Sequence, residues 1–140
     1  MGASVTLPKP PAAVQAVYDA YPTPARDQLL KLRTLVYDTA AGLSETGPIT
    51  ETLKWGEPSY LNKAGTTIRL AWSAKRPDVI GLFVNCQTTL LDEWREHYSG
   101  TLDLIGNREV RMAVDAPLPL EPLRHCIAMA LTYKWRKGGA

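Results

Sequence analysis

The sequence predicts an α+β domain: an antiparallel sheet of about four to six strands, with N-terminal helices, one inserted helix and a C-terminal helix packed mainly on one face. Three observations carry this. Apolar residues recur at three- and four-residue spacing up to Leu43, switch to a period of two from Ile49, and return to helical spacing after Pro119. The element order, two helices, several strands, a helix, further strands and a last helix, points to an α+β domain with an antiparallel sheet. The 140 residues, 45% hydrophobic and 21% charged, match one average globular domain. The expected division is a flexible tail over residues 1–9, a single domain over 10–136 and a short flexible tail over 137–140.

Val14, Val17, Tyr18 and Tyr21 place a short helix behind the prolines of the N-terminal segment. Thr23, as an N-cap, and Pro24, in the first turn, open a second helix whose stripe runs Leu29, Leu32, Val36, Ala40, Leu43. Gly42 to Pro48 ends it. Ile68, Leu70 and Trp72 alternate with Thr67, Arg69 and Ala71, the pattern of a strand with one buried and one wetter face. Val79 to Val84 reads as a central strand behind a turn at Lys75 to Asp78. A helix from about Thr88 to Tyr98 starts with a capping-box-like Thr89 and Asp92. Gly106-Asn107 predicts a two-residue hairpin between strands at Leu102–Ile105 and Arg108–Val114. The last helix turns Leu120, Leu123, Ile127 and Ala130 or Leu131 inward.

The charge balance narrows the partners. Sixteen basic against fourteen acidic residues give +2, evenly divided between the two halves, so no strongly basic face suits a nucleic acid. Lys134, Arg136 and Lys137 around Trp135 read as a solvated helix end. No run of eighteen apolar residues exists, and a cytoplasmic protein without membrane contact is expected. Met1 to Thr6 fits a loose myristoylation pattern but lacks a basic follow-up. Cys86 and Cys126 have no partner spaced for a metal and are expected to be reduced, buried thiols. Hydrolase, dinucleotide and phosphate-loop signatures are all missing, so a non-catalytic role is expected, as a monomer or weak homodimer.

The most distinctive stretch is Glu51-Thr52-Leu53-Lys54-Trp55-Gly56-Glu57-Pro58-Ser59-Tyr60. Gly56 permits a tight bend and Pro58 stiffens the chain beyond it, with Trp55 and Tyr60 on either side. Two readings stay open: a tryptophan-anchored turn, or an aromatic wall facing a ligand. In the second, Trp55, Tyr60 and Trp72 border a shallow pocket. Arg69 and Arg111 share the open sheet face with Glu57 or Glu51 and grip a small anion by forked hydrogen bonds. A screened surface network is the alternative.

The pattern E-x-[IL]-x-W-G-x-P-x-[FY] at Glu51 to Tyr60, the two apolar strands after it, and the strand-then-Pro-Leu-Pro entry into the last helix resemble the YdhG-like family of small bacterial domains. The resemblance spans roughly residues 10–136. It implies a frataxin-like role: iron held by surface carboxylates and delivered to an acceptor protein for iron–sulfur or haem assembly. In this chain the densest acidic patch is Asp92, Glu93 and Glu96, with Glu93 and His97 four apart on one helical face. These four are the candidate metal ligands, with a solvated, ion-paired helix face as the alternative.

Overall fold

The computed structural model describes residues 7–138; the segment fitting the myristoylation pattern lies outside them. Two helices lead, α1 (Ala12–Ala20) and α2 (Thr23–Ala41). Four strands follow: β1 (Thr50–Lys54), β2 (Glu57–Leu61), β3 (Ile68–Ser73) and β4 (Arg76–Phe83). Then come α3 (Leu90–Tyr98), β5 (Asp103–Ile105), β6 (Glu109–Ala113), α4 (Leu120–Leu131) and a last turn, α5 (Tyr133–Arg136). The strands form one fully antiparallel sheet in the order β1-β2-β3-β4-β6-β5, so the α+β expectation is met. The sequence departs from neighbour-to-neighbour pairing once. After β4 the chain makes α3 and the edge strand β5 before β6 returns to lie beside β4.

Alternation fixes the two faces. Register sets Tyr60 opposite Ile68, Leu70 opposite Leu82, Ile80 opposite Met112 and Leu82 opposite Val110. All of these are buried, together with Leu29, Leu32 and Val36 of α2 and Leu123, Ile127 and Leu131 of α4. Each fully buried aliphatic side chain contributes roughly 1.5–3 kcal/mol, and this shared core holds the helices to the sheet. The opposite face carries Glu57, Ser59, Arg69, Phe83, Glu109 and Arg111, where the Arg69 and Arg111 side chains lie over Phe83 and Glu109, and Ser59 and Glu109 are buried.

Several local expectations need correction. α2 begins at Thr23 itself, with Pro22 at the cap and no side-chain cap bond, because proline already supplies the extended entry. Ser73 pairs with Arg76, so β4 starts three residues before Val79 around a turn of Ala74 and Lys75. Ile105 pairs with Glu109, which makes the Gly106 hairpin three residues long rather than two, with Gly106 at φ +60°. Leu120 is exposed at the start of α4. At α3, the Thr89 hydroxyl donates to Glu93 rather than pairing with Asp92, at 2.7 Å. Cys126 is buried as expected but Cys86 is exposed, since the strand ends at Phe83 and the chain turns outward at Asn85. The expected N-terminal tail is engaged at Pro8, whose carbonyl accepts a hydrogen bond from Arg33 at 2.5 Å.

Candidate functional site

The motif from Glu51 to Tyr60 is a two-residue β-hairpin. Lys54 pairs with Glu57, leaving Trp55 and Gly56 as the turn, at φ +57° and +74°. Both central residues are left-handed, the type I′ geometry that matches strand twist and favours Asn-Gly or Gly-Gly. Gly56 suits it. Trp55 is the one non-glycine residue with positive φ among those described, and it is 90% exposed. The tryptophan therefore anchors nothing in the core.

The two aromatic sides of the motif part company. Tyr60 alternates onto the helix face and is fully buried, so it does not border an open pocket. Glu51, its register partner, is turned the same way. The carboxylate receives Arg33 through both oxygens at 2.7 and 2.9 Å, the Tyr60 hydroxyl at 2.8 Å and the Tyr37 hydroxyl at 3.2 Å. Since the Tyr60 proton is directed at Glu51, Tyr18 is the donor in the 2.5 Å contact between the two phenols. Burial alone pushes the Glu51 carboxyl up. The hydrogen bonds from Arg33, Tyr60 and Tyr37 and the Arg33 charge outweigh it and hold the group below the usual carboxylate range. Burial drives the Tyr18 and Tyr60 phenols well above theirs, and Tyr37 is pushed up to about 12 by burial and by Glu51. This is a satisfied, closed network that holds α1 and α2 to the hairpin; Glu51 is no part of the open face.

Trp72 also lies on the helix side, half-buried at the margin, tilted against Tyr21 with ring centroids 5.8 Å apart, its indole N–H donating to the Pro77 carbonyl. On the open face Arg69 binds Glu57 and stacks over Phe83 at 5.2 Å. The Phe83 ring folds over Gly81, where an added Cβ would sit 2.5 Å from it. Arg111 is engaged by Glu109 at 3.1 Å. Arg69 and Arg111 therefore share the face as expected, but each is held by its own carboxylate, and they do not form a two-arginine clamp.

A cavity of about 410 Å³ opens between the hairpin tip and the ends of β3 and β4, lined by Lys54, Trp55, Thr67, Arg69, Val84, Asn85, Cys86 and Arg108. Three of these are cations, and no carboxylate lines the cavity. Among the described residues neither Lys54 nor Arg108 has an ion-pair partner. The concavity thus combines an exposed indole, a small apolar wall and an unneutralised positive charge. A larger hollow of about 550 Å³ at Pro48, Lys63, Lys134 and Trp135 includes Glu45, so its charges are of both signs. Of the sequence candidates, Trp55 and Arg69 reach the cationic cavity. Lys54, Thr67, Val84, Asn85, Cys86 and Arg108 were the missed members. All six sit in turns, in loops or at strand ends, where periodicity carries no signal.

The four metal candidates do not converge. Glu93 is taken by Arg136 at 2.9 Å and Lys137 at 3.2 Å, and Asp92 faces Arg95 at 3.5 Å. Among the described residues no group of three or more His, Cys, Asp or Glu side chains is arranged to hold a metal ion. The physical reason is that basic residues from α5 and the segment after it close over the acidic face of α3. His97 is directed instead toward α4, its ring 5.1 Å from that of His125. No helix of the described residues is long and apolar enough to cross a membrane. No protein-family model, curated protein or solved structure matches the chain.

Proposed function

We propose that the protein is a non-catalytic binding domain that takes a small organic anion with a flat, apolar portion into the cavity beside the Trp55–Gly56 turn. One observation carries the reading: a bulky aromatic residue is held, nearly fully exposed, in a left-handed turn conformation at the mouth of a cavity with Arg69, Arg108 and Lys54 in its wall. Strained backbone of this kind persists where the surroundings over-determine it, and it clusters at binding sites. The indole offers a stacking surface, the Arg108 guanidinium, which has no ion-pair partner among the described residues, offers a planar fork for a carboxylate or phosphate, and Lys54 adds a second uncommitted charge. The volume lies within the usual range for small-molecule sites. Two unpaired cysteines suit a reducing, cytoplasmic setting, with the chain acting as a monomer or weak homodimer. Iron delivery, the role that the YdhG-like resemblance implies, is not the reading proposed, because Arg136 and Lys137 already neutralise Glu93.

The test is a thermal-shift and tryptophan-fluorescence titration with salicylate, an indole carboxylate and adenosine monophosphate, against inorganic phosphate alone. The ring-bearing anions should raise the melting temperature more than phosphate, and Trp55→Ala and Arg108→Ala should each remove the rise while the unliganded melting point stays put. No shift with any probe, or a shift indifferent to both substitutions, would overturn the proposal.

A further inference from the structure

The C-terminal end of α3 and the middle of α4 bring together the chain's only two histidines, neither of which lines the cationic cavity. His97 and His125 are both exposed, with ring centroids 5.1 Å apart and planes inclined at 72°. Two imidazoles bound to one ion through nitrogens at about 2.0–2.1 Å, at tetrahedral or square-planar angles, have centroids roughly 4.5–5.2 Å apart. The spacing across the two helices is therefore compatible with a chelating pair.

Tyr98 supplies the next layer. Its hydroxyl lies 2.6 Å from Nδ1 of His125. When that nitrogen carries the proton and donates to the phenol oxygen, Nε2 holds the free lone pair and faces away from the tyrosine. A hydrogen bond to the non-ligating nitrogen fixes ring orientation and tautomer in metal sites generally. The guanidinium groups of the same two helices are committed elsewhere, Arg124 to Asp38 and Arg95 to Asp92 and the Gly106 carbonyl. The C-terminal end of α3, where His97 and Tyr98 sit, also carries the negative end of the helix dipole.

We infer that His97 and His125 form a two-histidine surface site for a late divalent transition metal, with His125 positioned by Tyr98 and water completing the shell. Imidazole donors select Cu2+, Ni2+ and Zn2+ over Mg2+ or Ca2+, and Cu2+ binds most strongly in the general affinity order. The pair draws on His125 of α4 rather than on Asp92, Glu93 or Glu96, and neither histidine lines the anion cavity.

The experiment is calorimetric titration of metal-stripped protein, on a Cys86→Ser background so that the exposed thiol does not compete, with Cu2+, Zn2+ and Mg2+ in turn. One equivalent of Cu2+ should bind, Zn2+ more weakly and Mg2+ not at all. His97→Ala and His125→Ala should each weaken Cu2+ at least tenfold, with circular dichroism confirming that both fold. Tyr98→Phe should weaken Cu2+ several-fold and alter the Cu2+ paramagnetic resonance spectrum, as a positioning residue would. Absence of binding, or binding unaffected by either histidine substitution, would overturn the inference. So would a loss confined to one histidine, which would place the metal on a single ligand.

Discussion

Glu51 shows how much one side chain can decide. Its carboxylate and the Arg33 guanidinium are 4% and 6% exposed, so neither charge can recover water if its partner is removed. Breaking such a pair from one side typically costs about 3–5 kcal/mol, and Glu51→Gln should lower the denaturation midpoint accordingly. The pH dependence follows from the direction of the shift. The folded-state pKa lies below the unfolded one, so the ion pair's stabilisation is complete above about pH 4.3 and is lost as pH falls through the folded value. Acidification should narrow the stability gap between the wild type and Glu51→Gln, and a gap unchanged down to pH 2 would refute the assignment. Trp55 behaves oppositely. A buried ring there would have made truncation costly; a ring 90% exposed makes its backbone the issue. Trp55→Asn should raise stability by about 1 kcal/mol, because asparagine tolerates the left-handed region better, and should also abolish anion binding.

At the level of elements, legibility tracked periodicity. The strand at Ile68, Leu70 and Trp72 was readable because its apolar residues alternate onto the helix side, although Ala71 on the other face is buried too, and the stripe from Leu29 to Leu43 because it meets a sheet. The motif at Glu51 to Tyr60 was legible as a tight bend but not as to which ring goes inside. That depends on pairing register, which sets Glu51 opposite Tyr60, and on Arg33, eighteen residues upstream and on a helix. No local signal links those positions. The same limit applies to the acidic turn of α3, whose basic cover comes from residues more than forty positions away. The loop between β2 and β3 is another tertiary feature. Asn62 donates to the Thr46 and Leu131 carbonyls at 3.0 and 2.7 Å, and the Thr66 N–H reaches the Ala130 carbonyl at 2.9 Å. Gly65 sits against the α4 backbone, where a Cβ would come within 2.4 Å of the Ala130 carbonyl oxygen. Gly65→Ala should therefore destabilise by about 1–3 kcal/mol through overpacking, read as a lower melting temperature; an unchanged one would show that the loop can lift away freely.

For the molecule as a whole, one layer of helices on one sheet face leaves the second face to ion pairs and to Phe83, and this asymmetry governs which groups reagents can find. Cys86 stands at the cavity rim, whereas Cys126 is sealed in α4, its thiol pushed up to about 12 by burial. A thiol reagent should therefore titrate one cysteine in the native protein and the second only after denaturation. An occupied anion cavity should slow the first reaction. Rapid labelling of both would mean that α4 opens readily. The tie between Pro8 and Arg33 has a mechanical corollary. Tension applied at Pro8 runs along the backbone into α1 and, in part, through the Pro8 carbonyl to the guanidinium that grips Glu51 on the edge strand β1. Under load, the margin formed by α1 and that strand would peel away first, while the central strands, flanked on both sides, would keep their extension resistance to the last.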